Sequence, residues 1–426
     1  MSNTYRKIRK LFRDPALFLA DSRVMRQHFQ VTANRVVRGG TSREHEAYLG
    51  NPFALFPKGI DFVLYFSAKK ALAYQVEQWL PTLRVLAKSH TVVILTREDA
   101  VYRHFVKTTE FPIMYCKSLR DLMAFYERIQ VGAVIYVNNS VKNFQSLIHQ
   151  DSLHVHINHG ESEKSSMHSN QAKAYDYVFV VADAGQERYE RNLLRAETVS
   201  FVHVGRPQLD GIVPIAPRSD GHRRVVLYAP TWSAYHDSMN YSSIAAYGER
   251  IAEAFVDHPD FHFIYRPHPS VGISNEDEAK AHAAILARVD ATPHAELLME
   301  GDINSIFPAV DIGIFDNSSV LIDYLRADKP FMLTRILPAG TKLPRVAAAG
   351  HVLTHADYDD LRGLCLRLLT EDPEGDRRRA EKHYYLGEYG EAEATAKFVS
   401  ALESILTERH RLVQQRGAHR PPGGPK

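Results

Sequence analysis

From Asp61 onward the chain alternates short apolar runs with amphipathic stretches: DFVLYFS, a helical AYQVEQWLPTLRVLAKS, then TVVILT, FPIMYC, VGAVIYV and LHVHIN. Unbroken apolar runs belong to strands buried on both faces, and strands alternating with helices predict a parallel sheet covered on both sides. The rhythm continues through YDYVFVV, a charged helix from Ala184 to about Leu194, and TVSFVHVG. It breaks at GRPQLDGIVPIAPRSDGHR, where Pro207, Pro214 and Pro217 with Gly205, Gly211 and Gly221 make the densest turn-rich stretch before the tail. A second series then starts: RRVVLYAP, a helix from about Ser242 to Val256, FHFIYRPHP, a helix from about Asn275 to Val289, DIGIFD, a helix from Ser319, and PFMLT. Helices over about Tyr358–Leu369 and Glu391–Arg409 close the chain. The pattern predicts an α/β protein of two tandem Rossmann-like, doubly wound domains facing across a cleft, with ligands at the carboxyl ends of the strands. The expected divisions are a basic N-terminal segment 1–50, a first domain 51–210, a second domain 221–410 and a disordered tail 411–426.

The first thirty residues carry a different pattern. Arg6, Lys7, Arg9, Lys10, Arg13, Arg23 and Arg26 stand against only Asp14 and Asp21. In a helix Ile8, Leu11 and Phe12 share one face among these cations, and Pro15 marks a restart. An amphipathic basic helix of this kind suits attachment to an anionic lipid surface, with Arg6, Lys7, Arg9 and Lys10 as the leading contacts. A solvated basic helix packed on its own domain fits the same residues.

Composition narrows the classes. The 426 residues are 45% apolar and 24% charged, which excludes disorder as the main state. Lys and Arg total 52 against 50 Asp and Glu, so no global basic field argues for nucleic acid. The two cysteines, Cys116 and Cys365, give neither a disulfide framework nor a zinc spacing, and no His/Asp/Glu spacing calls for a metal. No apolar run reaches the roughly 18 residues of a membrane span and the front lacks a secretion signal, so a reducing cytoplasm is the expected compartment.

Candidate chemistry collects in the loops after strands. LHVHIN leads into His159-Gly160-Glu161-Ser162, RVVLYA into Pro230-Thr231-Trp232-Ser233, FHFIY into Arg266-Pro267-His268-Pro269-Ser270, and DIGIF into Asp316-Asn317-Ser318-Ser319. In the last, Asp316 or Asn317 can cap a helix whose Ser318, Ser319 and free N–H groups face a phosphate. Asp323, one turn on, can accept hydrogen bonds from ribose hydroxyls. Pro267 and Pro269 hold His268 on a stiff loop beside Arg266, a pairing suited to a diphosphate whose leaving group needs its charge neutralised. His159 precedes a glycine at a sharp turn and can project into the cleft from the opposite domain. His154 and His156 alternate within a strand and read as structural. The phosphate-loop, HExxH and GxSxG motifs are absent, and no strand is followed by GxGxxG.

LYAPTW, YRPHPS and DIGIFDNSSVLIDYLRADKP, in that order and with INHGES upstream, resemble the CDP-glycerol glycerophosphotransferase family of teichoic-acid-type and capsule polymerases and primases. RKIRKLFRDPALFLADS is similar to the leader of many bacterial surface-polysaccharide transferases. The resemblance implies a GT-B architecture, a peripheral enzyme on the cytoplasmic face of the membrane, and transfer of glycerol phosphate or a similar polyol phosphate from a CDP-polyol donor, with release of CMP. The acceptor is then a lipid-linked or polymeric glycan, and no resident cofactor is implied. It makes His159 and His268 the essential pair, places Ser318 and Ser319 at the donor phosphates, and adds Thr231 to that side. The usual HGTP reads HGES here, which bears on the acceptor side, at Gly160, Glu161 and Ser162. His159 then deprotonates the acceptor, while Arg266, His268 and the serine pair stabilise the phosphoryl charge. A GT-B glycosyltransferase or epimerase using a nucleotide sugar, and a scaffold working through its basic front, are the competing readings.

Overall fold

The computed structural model describes residues 31–33, 46–48, 56–162, 167–214, 223–233, 241–336, 342–390 and 392–418. The expected basic helix and the contacts of Arg6, Lys7, Arg9 and Lys10 lie outside the described residues. In the first half the strands are β1 (Val31–Ala33), β2 (Glu46–Tyr48), β3 (Ile60–Phe66), β4 (Val92–Thr96), β5 (Ile113–Tyr115), β6 (Val131–Tyr136), β7 (Leu153–His156), β8 (Tyr177–Val180) and β9 (Phe201–His203). The helices between them are α1 (Tyr74–Glu77), α2 (Leu80–Leu86), α3 (Asp99–Thr108), α4 (Leu119–Arg128) and α5 (Asp183–Asn192). The sheet order is β2-β1-β5-β4-β3-β6-β7-β8-β9, with β1 antiparallel to both its neighbours and β3 to β9 parallel. The two strands β1 and β2, within the stretch expected as a basic segment, extend this sheet at its edge.

The second sheet contains β10 (Arg224–Ala229), β11 (Phe261–Tyr265), β12 (Ala295–Leu297), β13 (Ile312–Phe315), β14 (Phe331–Leu333) and β15 (His351–Val352). All six are parallel, in the order β12-β11-β10-β13-β14-β15. Its helices are α6 (Glu249–Phe255), α7 (Glu276–Asp290), α8 (Ser319–Tyr324), α9 (Leu361–Glu371) and α10 (Gly375–Leu386). The last helix is α11 (Glu393–Ala418).

Local chemistry sets several boundaries. Pro81 opens α2 and divides the long predicted helix after Trp79, because proline belongs in a first turn and breaks an interior. Ser118 and Asp121 form a reciprocal capping box at the start of α4. The sequence pattern did not show α10, since GDRRRAEKHYYL has little apolar periodicity. Its burial comes from Arg378, held by Asp328 and Asp372, and from Tyr384, Tyr385 and Leu386.

Each sheet lies between two apolar layers. Phe398, Leu402, Ile405 and Leu406 of α11 belong to the layer of the first sheet, with Phe398 against Trp79 at 5.0 Å between ring centres. The chain therefore returns to the first domain at its end, and the helix runs through to Ala418 where the pattern placed a tail from 411. Gly132 lets this helix approach β6, because a Cβ there would stand 2.4 Å from the Leu406 side chain. The seam between the domains is partly apolar: Val181, Ala182, Ala184 and Leu209 share a layer with Tyr384 and Tyr385, and the Tyr384 hydroxyl donates to Glu187.

Candidate active site

His159 sits just past β7, after Asn158, whose φ of 54° turns the chain into the cleft. Asparagine is among the few residues that tolerate this left-handed geometry. The turn is held by the Trp79 indole N–H on the Asn158 carbonyl at 2.7 Å and by the Asn158 side chain, which accepts from the His159 N–H at 2.9 Å. The ring places Nδ1 3.2 Å from the Val137 carbonyl. A carbonyl only accepts, so Nδ1 carries the proton and Nε2 presents a lone pair. Gln75 agrees with this: its Oε1 accepts from Asn138, which turns its amide N–H toward His159 Nε2, a long contact of 3.5 Å. Burial pulls the His159 pKa down to about 4, so the imidazole is neutral and basic near pH 7.

His268 comes from the other domain. Its Nδ1 accepts the Ser270 backbone N–H at 3.1 Å, which puts the ring proton on Nε2, the opposite tautomer to His159. Trp232 stacks on it at 5.9 Å. Tyr74 of α1 lies edge-on to both imidazoles, 6.1 Å from His159 and 6.2 Å from His268 between ring centres. The two histidines are therefore no further apart than the sum of those distances, and they share one cleft.

Two buried carboxylates organise the loops on the second side. Asp316 is fully enclosed and accepts from the Thr231 N–H at 2.8 Å, the Ser243 N–H at 3.1 Å and the Thr334 hydroxyl. Burial pushes its pKa up to about 6 against these hydrogen bonds. Glu278 on α7 accepts from the N–H and hydroxyl of Ser233, the Ser242 hydroxyl and the Gly272 N–H. It thus ties the loop after β10 to the loop carrying His268. Ser318, not Asp316 or Asn317, occupies the cap position of α8; its own hydroxyl is buried with no hydrogen-bond partner among the described residues. A recess behind Asn317 is lined by Tyr241, Thr334, Arg335 and Pro344.

Gly160 and Ser319 meet where the domains touch. A Cβ on Gly160 would come within 3.1 Å of the Ser319 Cβ and 3.3 Å of its hydroxyl. Arg206, in the stretch between the sheets, spans the same point. Its guanidinium makes a two-point pair with Asp323, at 2.9 and 3.0 Å, and donates to the His159 carbonyl at 3.3 Å.

Three expected roles receive other partners. Both oxygens of Asp323 face Arg206, so this carboxylate fixes α8 instead of presenting itself to a ribose. Arg266 donates to the carbonyls of Leu298 and Gly301, which directs those donors into a supporting loop and away from a diphosphate. Glu161 is buried in an ion pair with Arg188 inside the first domain. Gly160 meets Ser319, Ser318 stands beside it at the start of α8, and the Thr231 N–H is bound by Asp316, the residue two before Ser318. Tyr74, Gln75, Arg206 and Glu278 were not singled out from the sequence. Only Glu278 carried a readable signal, and it pointed elsewhere: Asn275-x-x-Glu278 has capping spacing, and Asn275 does cap α7, but the Glu278 carboxylate turns to the loops.

Residues 149–335 match the family model described as CDP-Glycerol:Poly(glycerophosphate) glycerophosphotransferase. Over those residues the chain is similar to the glycerophosphotransferase family. The match contains His159, Thr231, His268 and the Ser318–Ser319 pair, and the family is one of transferases. Solved structures show the same two-sheet GT-B-like fold. A putative UDP-N-acetylglucosamine 2-epimerase from Listeria monocytogenes is 15% identical with a TM-score of 0.55, covering 82% of this chain and 97% of its own. The wall teichoic acid polymerase TagF is 12% identical with a TM-score of 0.52, covering 82% and 89%. A glycosyltransferase from Rickettsia africae is 13% identical at 0.51, covering 82% and 99%. No curated protein matches the sequence. Among the described residues no helix is long and apolar enough to cross a membrane, and no three His, Cys, Asp or Glu side chains are grouped to hold a metal.

Proposed function

We propose that the protein transfers glycerol phosphate, or a similar polyol phosphate, from a CDP-activated donor to a hydroxyl of a lipid-linked or polymeric glycan, in the manner of a teichoic acid or capsule polymerase. The opposed tautomers of the two cleft histidines carry this reading. His159 offers a lone pair at Nε2 and His268 offers a proton at Nε2, which is the arrangement that moves a proton off a nucleophile on one side and neutralises a leaving group on the other. The acceptor oxygen loses its proton to His159 and attacks the phosphorus that bears the polyol. The bond from that phosphorus to the oxygen bridging it to CMP breaks, and CMP leaves with the bonding electrons, its charge met by His268. The Ser318 hydroxyl, the N–H groups opening α8 and Thr231 take the donor phosphates. Gly160 and Ser162 line the acceptor side. The work is done at the cytoplasmic face of the membrane, with the basic N-terminal residues as attachment.

CMP release tests this directly. Purified protein is given CDP-glycerol, CDP-ribitol or UDP-sugars with a crude bacterial membrane acceptor. Release from a CDP-polyol that falls by about 10²–10⁴-fold in His159→Ala is the expected result. Turnover of a UDP-sugar with neither CDP-polyol consumed would replace the reading with that of a nucleotide-sugar glycosyltransferase.

A further inference from the structure

One surface segment of the first domain buries two polar side chains while it exposes three large apolar ones. Between β6 and β7, in the stretch 140–149, the polar residues Asn143 and Ser146 point inward and are hydrogen-bonded. The Asn143 amide donates to the Asn138 carbonyl at 2.6 Å and to the Tyr175 hydroxyl at 3.0 Å, and the Ser146 hydroxyl meets that of Tyr126. Both side chains are buried. Three of the four large apolar side chains face out, Val141 78% exposed, Phe144 48% and Ile148 51%, while Leu147 packs against the core. A short helical turn over Val141–Gln145 sets this polarity, opened by Ser140, whose hydroxyl accepts from the Lys142 N–H. Burial of apolar area favours the reverse arrangement, so the exposure needs a reason beyond folding of the chain alone.

The neighbouring segment extends the patch. Arg97 donates to the Cys116 and Lys117 carbonyls and to the Gln145 side chain, which holds 116–120 beside 141–145. Leu119, 42% exposed, lies in that segment. Together KSLR at 117–120 and VKNFQSLI at 141–148 contain Lys117, Arg120 and Lys142 and no acidic residue. Lys142 pairs with Glu98, and Lys117 and Arg120 are in no ion pair among the described residues. Exposed aromatic and aliphatic side chains flanked by cations match the boundary between acyl chains and anionic headgroups.

The location points the same way. Val137, whose carbonyl orients His159, is four residues before Val141, so the ridge begins within at most about 14 Å of chain from the support of the proposed base. We infer that Val141, Phe144, Ile148 and Leu119, with Lys117, Arg120 and Lys142, dock the protein on an anionic lipid bilayer. This docking gives a purpose to the acceptor side of the proposed transferase and rests on that reading only for its biological use. A bilayer seated there brings a membrane-borne acceptor hydroxyl to the mouth of the cleft. Paired with the basic N-terminal residues it supplies the second of the two signals that stable peripheral attachment needs.

The test uses the full chain and co-sedimentation with vesicles of phosphatidylcholine alone or of equimolar phosphatidylcholine and phosphatidylglycerol. The wild type is expected to bind the anionic vesicles. The V141D/F144D/I148D variant and the K117E/R120E variant should each bind at least about tenfold more weakly. Leu366→Asp, at an exposed leucine of α9, should bind as the wild type does. Unchanged melting temperatures show that the variants fold. A Phe144→Trp variant adds a direct reading, since brominated lipid should quench a tryptophan inserted at the ridge. CMP release with a soluble acceptor analogue separates this proposal from the preceding one: patch variants that keep that activity while losing vesicle binding support docking, and vesicle binding that persists in a catalytically silent protein leaves docking intact. Wild-type vesicle affinity in both patch variants, or fluorescence of the F144W protein that brominated lipid leaves unquenched, would overturn it, assigning attachment to the N-terminal segment or the ridge to a protein partner.

Discussion

The two halves of the cleft hold their histidines by different means. On the first side the His159 ring is oriented by a main-chain acceptor, the Val137 carbonyl, at a left-handed turn that Asn158 supplies and the Trp79 indole secures. On the second side the His268 backbone N–H reaches the Pro230 carbonyl at 3.3 Å, and a single buried side chain, Glu278, gathers donors from Ser233, Ser242 and Gly272 across the adjoining loops. Main-chain support comes with the sheet and survives most substitutions. Support by a buried acid concentrates the whole arrangement in one residue, because each of its partners loses its acceptor together.

Glu278→Ala should therefore produce the largest effect and test the comparison most severely. Leaving several buried donors unmatched should cost about 3–5 kcal/mol of stability, read as a fall in melting temperature and in the denaturant midpoint. Glu278→Gln, which keeps an acceptor oxygen, should recover part of that loss. His159→Ala should leave stability nearly unchanged while CMP release falls by about 10²–10⁴-fold. Equal and small stability changes in Glu278→Ala and His159→Ala would remove the distinction between the two sides.

Acid pH should weaken the first side in particular. Burial lowers His149 to about 4, His156 to about 3 and His159 to about 4. The unfolded chain takes up protons below about pH 6.5 that the folded chain excludes, so this stability is present above that pH and is lost as the pH falls toward 4. Asp316 acts in the opposite sense, since its raised pKa of about 6 makes the folded chain the better proton binder as pH falls below that value. Three histidines against one aspartate give a net loss on acidification, visible in melting temperatures from about pH 7 to about pH 4. His156 is enclosed, stacked on Tyr175, with neither ring nitrogen hydrogen-bonded among the described residues. His156→Phe should flatten the dependence, and a slope unchanged by that substitution would exclude His156 as a contributor.

A smaller effect is expected at the contact between the sides. Gly160→Ala places a methyl against Ser319, which must yield by a few tenths of an ångström, at a cost of about 1–2 kcal/mol. Because the clash lies between domains, CMP release should fall several-fold while melting changes by only a few degrees. A loss confined to stability would mean that the closure seen here is dispensable for transfer.

The legible residues share a cause. His159 stands before a glycine and His268 between two prolines, each just after an apolar strand, so strand ends and turn chemistry were enough to select them. The serine pair was found in the same way. Charged residues misled because their partners lie far along the chain: Asp323 meets Arg206 from 117 positions away, and Arg188 reaches Glu161 from 27. An acid near a candidate phosphate site looks like a ligand contact until its ion pair is seen. Glu278 was hidden by its capping spacing, and Tyr74 by a short helix of the opposite domain.

The sequence by itself determined the parallel strands of both sheets, the break between them and the candidate loops after the strands, because burial on both faces and chain reversal leave local marks. The tertiary structure decided the rest. Only packing brought α11 back onto the first sheet, paired the two tautomers across Tyr74, and turned Asn143 and Ser146 inward beneath an exposed apolar ridge. Each of these depends on which distant surfaces come together, and hydrophobic periodicity records that a side chain is to be buried without recording against what.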